Sequence, residues 1–101
     1  MKAFIIDPKD KTITVTSIKK VTFLAECYKI YGEYPDYEEI TPDLAVYYIQ
    51  DSKDSSKFEL KTPKKHLKIK GKSIVIGHDS NGELQSAICD INKINKMILW
   101  N

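Results

Sequence analysis

The chain has 101 residues, 42% apolar and 30% charged, and its net charge is +2, carried by 16 lysines and no arginine against 14 acids. Length and composition fit one globular domain, residues 1–101, and exclude a disordered chain. No apolar run approaches the roughly 20 residues that span a bilayer, and Asp7 ends the first apolar stretch too early for a signal peptide, so a cytoplasmic protein is expected.

Residues 3–7 and 12–16 read as strands joined by the turn formers Pro8-Lys9-Asp10-Lys11. In the second, Ile13 and Val15 alternate with threonines. Residues 18–31 read as the main helix, with Val21, Leu24, Tyr28 and Tyr31 on one arc and Phe23, Cys27 and Ile30 on another. Only Thr22, Glu26 and Lys29 form a polar stripe, so the apolar arc is wide enough for burial on more than one side. Gly32 supplies a left-handed stop.

Residues 33–43 read as an acidic linker. Leu44 to Ile49 has strand composition, although Thr41-Pro42-Asp43 would also start a helix. Gln50 to Lys57 is a serine-rich loop and Phe58-Glu59-Leu60 a short strand. Residues 73–77 and 83–89 read as strands joined by Asp79-Ser80-Asn81-Gly82, whose Asn-Gly is a strong hairpin signal. Asp90 caps a short helix to Lys96 with Ile91 and Ile94 inward, and Met97 to Trp100 is apolar enough to dock on the body. The expected fold is α+β: a mostly antiparallel twisted sheet of five or six short strands, packed on one main helix and followed by a short C-terminal helix.

Charge is segregated along the middle of the chain. Residues 33–54 carry seven acids and one lysine, a net of −6; residues 57–72 carry seven lysines and one acid, a net of +6. Such blocks set fields that steer partners, unless they pair with each other inside one chain or between subunits. At the end of the helix and in the acidic block, Tyr31, Tyr34, Asp36, Tyr37, Glu38 and Glu39 are candidates for protein contact, because tyrosine gives large rigid area at low entropic cost. In the basic block, Lys61, Lys64, Lys65, Lys68, Lys70 and Lys72 are candidates for anion binding; in an extended segment Lys68, Lys70 and Lys72 would share a face. The alternative is a solvated basic edge that discourages sheet-to-sheet aggregation.

Other motifs fail on their chemistry. Gly71-Lys72-Ser73 lacks the upstream glycine of a phosphate-binding loop and precedes a strand instead of a helix. His78, Asp79 and Ser80 are consecutive in a turn, where triad members would diverge. His66, His78, Cys27 and Cys89 have no metal-ligand spacing, and the two cysteines read as buried thiols, a disulfide being left open by sequence alone. No catalytic residue, metal or cofactor is expected.

The opening Met1-Lys2-Ala3-Phe4-Ile5-Ile6-Asp7-Pro8 with Thr12-Ile13-Thr14, and the later Gly71-Lys72-Ser73-Ile74-Val75-Ile76-Gly77-His78-Asp79 with Gly82-Glu83, resemble two blocks shared by a group of small phage and prophage proteins of unknown function. The resemblance covers residues 1–14 and 71–83 and contains no catalytic motif. It implies a mobile-element origin and a small α+β domain. With the charge pattern, it sets the leading expectation of a non-enzymatic phage-type protein that inhibits a host protein, a component of an antiviral defence system, by direct contact. An oligomeric sponge for a signalling nucleotide and a nucleic-acid-binding module are the alternatives. A domain this small buries a modest share of its surface, so a homo-oligomer would be a natural supplement.

Overall fold

A computed structural model describes residues 1–101. Nine strands and two helices follow in the order β1 (Lys2–Asp7), β2 (Thr12–Ser17), α1 (Phe23–Tyr31), β3 (Asp36–Thr41), β4 (Leu44–Tyr48), β5 (Lys57–Lys61), β6 (His66–Lys70), β7 (Ser73–His78), β8 (Leu84–Gln85), α2 (Ile91–Met97) and β9 (Ile98–Trp100). The fold is α+β, and every strand pair is antiparallel. The main sheet has the order β2-β1-β7-β4-β3, with β8 beside the end of β7; a second sheet has the order β6-β5-β9.

Two sheets and helix α1 stack in three layers, with the main sheet in the middle. Its residues Phe4, Ile6, Leu44, Val46 and Val75 face the second sheet, where Phe58, Leu60, Ile69 and Ile98 meet them and Ile94 and Met97 of α2 complete the core. The alternate residues Ala3, Ala45, Tyr47, Ile74 and Ile76 face α1, which presents Phe23 and Cys27. Period-two side-chain alternation thus feeds two cores from one sheet. Strand β7, at its centre, is buried along its whole length, which explains the unbroken Ile74-Val75-Ile76 run.

Several expectations hold. Both N-terminal strands form, and the Asp90 carboxylate caps α2 by accepting the Lys93 backbone N–H at 3.1 Å. Gly32 ends α1 at φ 74°, its N–H donating to the Tyr28 carbonyl. The tail docks as β9, paired with β5. No helix is long and apolar enough to cross a membrane.

Others are corrected. The helix begins at Phe23, after a single 3₁₀ turn at Lys20–Thr22, because Ile18 is drawn into the core beneath α1. The acidic linker is in part a strand: β3 pairs with β4 from Asp36↔Tyr48 to Thr41↔Leu44, so Pro42-Asp43 forms the hairpin turn and no helix starts at Thr41. Only Leu84–Gln85 of the stretch 83–89 is a strand, and Ile91 lies outside the core, where Ile94 and Met97 serve. Both cysteines are free; Cys27 is in the helix-side core and Cys89 packs against the inter-sheet core.

Candidate functional site

Helix α1 is anchored by one face and apolar on the other. Phe23 meets Tyr47 edge-on, with ring centroids 4.8 Å apart, and the Tyr31 hydroxyl donates to the Tyr47 carbonyl at 3.2 Å. A surface helix normally turns charge outward at this point. Here Val21, just before α1, is 93% exposed and Leu24 is 55% exposed, with Tyr28 on the same side. Beyond Gly32 the chain returns so that Tyr34, 66% exposed, rests on Tyr28 at 5.0 Å between centroids.

The edge strand β3 extends this surface. Tyr37 is exposed and stacks on Tyr47 at 5.3 Å with an interplanar angle of 25°. Tyr47 shares a hydrogen bond of 2.9 Å with His78 Nε2. The rings Tyr37, Tyr47 and Phe23 form a chain of contacts from solvent to the core, which fixes the orientation of the exposed member. Burial pushes the Tyr47 hydroxyl up to about 12, with Tyr37 and Cys27 adding to the shift. Burial also holds the Tyr31 hydroxyl well above its ordinary value, with Cys27 adding to it. Burial, then Glu26, pushes the Cys27 thiol up to about 11. All three groups are neutral packing elements at neutral pH.

Strand alternation divides the six contact candidates. Tyr34, Tyr37 and Glu39 lie on the helix side. Asp36 and Glu38 alternate with Tyr37 onto the opposite side of β3, where Glu38 accepts from the Lys65 ammonium at 3.4 Å. Tyr31 is half-buried and belongs to the packing beneath the surface. Val21, Leu24 and Tyr28 are the members that the candidate set lacked. Their signal was the wide apolar arc; which part of it faces solvent depends on the tertiary contacts of Phe23 and Cys27.

The lysine candidates do not converge either. Lys61, Lys68 and Lys70 stand on the outer face of the second sheet, together with Lys57. Lys64 and Lys65 lie in the β5–β6 turn. Gly71, at φ 80°, turns the chain into β7, so Lys72 leaves the face of Lys68 and Lys70 and reaches Asp7 at 4.0 Å. Glu38–Lys65 is the one ion pair between the acidic and basic blocks, so the blocks do not neutralise each other.

The turn residues once compared with a triad stay apart in role. His78 is buried with Nδ1 unpartnered, Asp79 accepts the backbone N–H groups of Asn81 and Glu83, and Ser80 is exposed. No group orients the imidazole as a base toward a nucleophile. A hollow of 530 Å³ near the C-terminus of α1 brings Lys53, Lys70 and Lys72 together with Glu33, Asp51 and Asp54, an even balance of charge. Comparison with protein families, with curated proteins and with solved structures finds no match for this chain.

Proposed function

We propose that the chain is a non-enzymatic binding protein that blocks another protein by direct contact through the outward face of α1 and the adjoining side of β3. The observation that carries this reading is the exposed apolar set Val21, Leu24, Tyr28, Tyr34 and Tyr37 on one side of the molecule. Fully burying one such aliphatic side chain contributes about 1.5–3 kcal/mol, so a few anchors suffice for tight binding. Glu33 and Glu39 border the patch and are exposed. A partner with a shallow apolar surface rimmed by lysine or arginine is complementary to it.

A second copy of this chain fits less well. A two-fold dimer would set the patch against itself and bring each acidic rim to its counterpart. The phage-type resemblance of residues 1–14 and 71–83 makes a host protein of an antiviral defence system the natural target. The nucleotide-sponge alternative gains no support from the 530 Å³ hollow, whose three acids offset its three lysines.

Native mass spectrometry of the tagged protein from an infected or lysogenic host tests the reading. The expected result is one host protein at fixed stoichiometry, lost from the Val21→Asp/Leu24→Asp variant, with its purified activity inhibited by the wild-type chain alone. A small bound mass of nucleotide size, or a homodimer dispersed by the same variant, would replace the proposal.

A further inference from the structure

The outer face of the second sheet carries an unexplained concentration of positive charge. Lys57 and Lys61 project from β5, and Lys68 and Lys70 from β6, all exposed. None of these four enters an ion pair. The one carboxylate among them, Glu59, accepts the His66 Nε2–H at 2.6 Å. Lys57 stands directly opposite Lys70 in the strand register. Like charges in that position destabilise a sheet.

Protection of an exposed edge explains only half of this arrangement. Strand β6 is an edge, and lysines there discourage pairing with another chain. Strand β5 is the central strand of its sheet, where Lys57 and Lys61 protect no edge. A ligand that supplies negative charge along the face accounts for both strands.

The geometry points to the sugar-phosphate backbone of a nucleic acid, bound without regard to sequence, with Lys57, Lys61, Lys68 and Lys70 as phosphate contacts. Lys68 and Lys70, alternate residues of β6, are about 6.6 Å apart, Lys57 stands about 5 Å from Lys70, and Lys61 lies about 13 Å from Lys57 with Glu59 between them. That lattice suits successive phosphates of one strand, whereas a single nucleotide would leave part of it unused. A hollow of 320 Å³ is lined by Lys57, Lys68, Lys70 and Asn101 and also by Glu59, which stands opposite Lys68, so its three lysines outnumber its one carboxylate and leave it net positive. Base reading is absent by chemistry: the chain has no arginine for bidentate guanine contacts, and the apolar residue on this face is Leu99, not an aromatic platform. A single leucine is likewise a poor anchor for a lipid surface. The face lies across the main sheet from the Val21–Leu24 end of α1, and the two surfaces approach each other only at the hollow where Lys70 meets Glu33.

Fluorescence anisotropy with labelled single-stranded and duplex oligonucleotides of mixed sequence, from about 50 to about 200 mM salt, tests the assignment. Four phosphate contacts predict a slope of log affinity against log salt of about −3 on single strands and about −3.6 on duplex. Lys57→Glu/Lys68→Glu/Lys70→Glu should lower affinity at least about 100-fold. A charge-matched variant elsewhere, Lys9→Glu/Lys19→Glu/Lys29→Glu, should change it no more than about twofold. Lys57→Gln/Lys70→Gln serves if the reversal variant fails to fold, and should still flatten the slope by about two contacts. No binding at the lowest salt, equal losses in the two triple variants, or tighter binding to anionic vesicles than to nucleic acid would overturn the assignment.

Discussion

The helix layer and the second sheet are the two outer layers of one sandwich, and they present opposite chemistry to solvent. Around α1 the exposed surface is apolar and aromatic with carboxylates beside it; on β5 and β6 it is lysine, four against one glutamate. The segregation seen along the chain becomes in part a segregation through the thickness of the fold, because β3 joins the main sheet while β5 and β6 build the other, with Asp36 and Glu38 the acids of β3 that turn away from the helix. Even the smallest dimension of the molecule, 20 Å, exceeds the Debye length of about 8 Å at physiological salt. Away from the Glu38–Lys65 pair and the hollow that Lys70 shares with Glu33 the two fields act separately, and a net charge of +2 describes neither face.

Breaking the shared support should abolish both faces together. Phe58→Ala removes a fully buried ring between the sheets and is expected to cost about 3–5 kcal/mol in urea unfolding, with both binding activities lost together once urea passes its lowered midpoint. Retention of either activity in the unfolded variant would show that a face does not need the sandwich. Altering only the helix face separates the two. Val21→Asp/Leu24→Asp should weaken the protein contact more than about tenfold while stability moves within about 0.5 kcal/mol for each site, as read by titration and by urea midpoint.

Alkaline titration should weaken the helix-side core most, with Cys89 and Tyr48 beside the inter-sheet core, both raised by burial, adding in the same direction. Folding holds the Cys27 proton more tightly than the usual 9.0, with the folded value at about 11. The unfolded chain therefore ionises first, and this contribution is whole below pH 9.0 and lost as pH rises to about 11. Tyr47, raised to about 12, adds in the same direction at higher pH. The melting temperature should fall through that window, less steeply in Cys27→Ala and unchanged in steepness in Lys68→Gln. A flat profile would contradict the buried placement of the thiol. The smallest effect belongs to the lysine face: Lys57→Gln relieves its opposition to Lys70 and should raise stability by about 0.2–1 kcal/mol while weakening nucleic-acid binding. A loss of stability would mean that the Lys57 stem packs more than its charge repels.

Much of the fold could be read before its three-dimensional arrangement was known, where the information was local. The cap at Asp90, the stop at Gly32 and the hairpin at residues 79–82 each rest on a few adjacent residues. Strand β3 was missed because Asp36, Glu38 and Glu39 have poor strand propensity, and only its pairing with β4 makes them a strand. The existence of two sheets was hidden for the same reason, since pairing partners such as β5 and β9 are distant in sequence. At the binding faces the residue types were evident and their grouping was not. Glu38 and Tyr37 are neighbours on opposite sides, whereas Lys57 and Lys70 are distant in sequence and directly opposed.

The position of β7 has a consequence for synthesis of the chain. It is the inner strand that joins β1 to β4, yet it is among the later segments to leave the ribosome. Until residues 73–78 emerge, the β1–β2 and β3–β4 hairpins are two separate pieces with open edges, and neither can bury its apolar side chains. At roughly 5–20 residues per second, a nascent chain spends seconds in that state. A message cut short before β7 would therefore yield no half-working product, only material for chaperones and proteases.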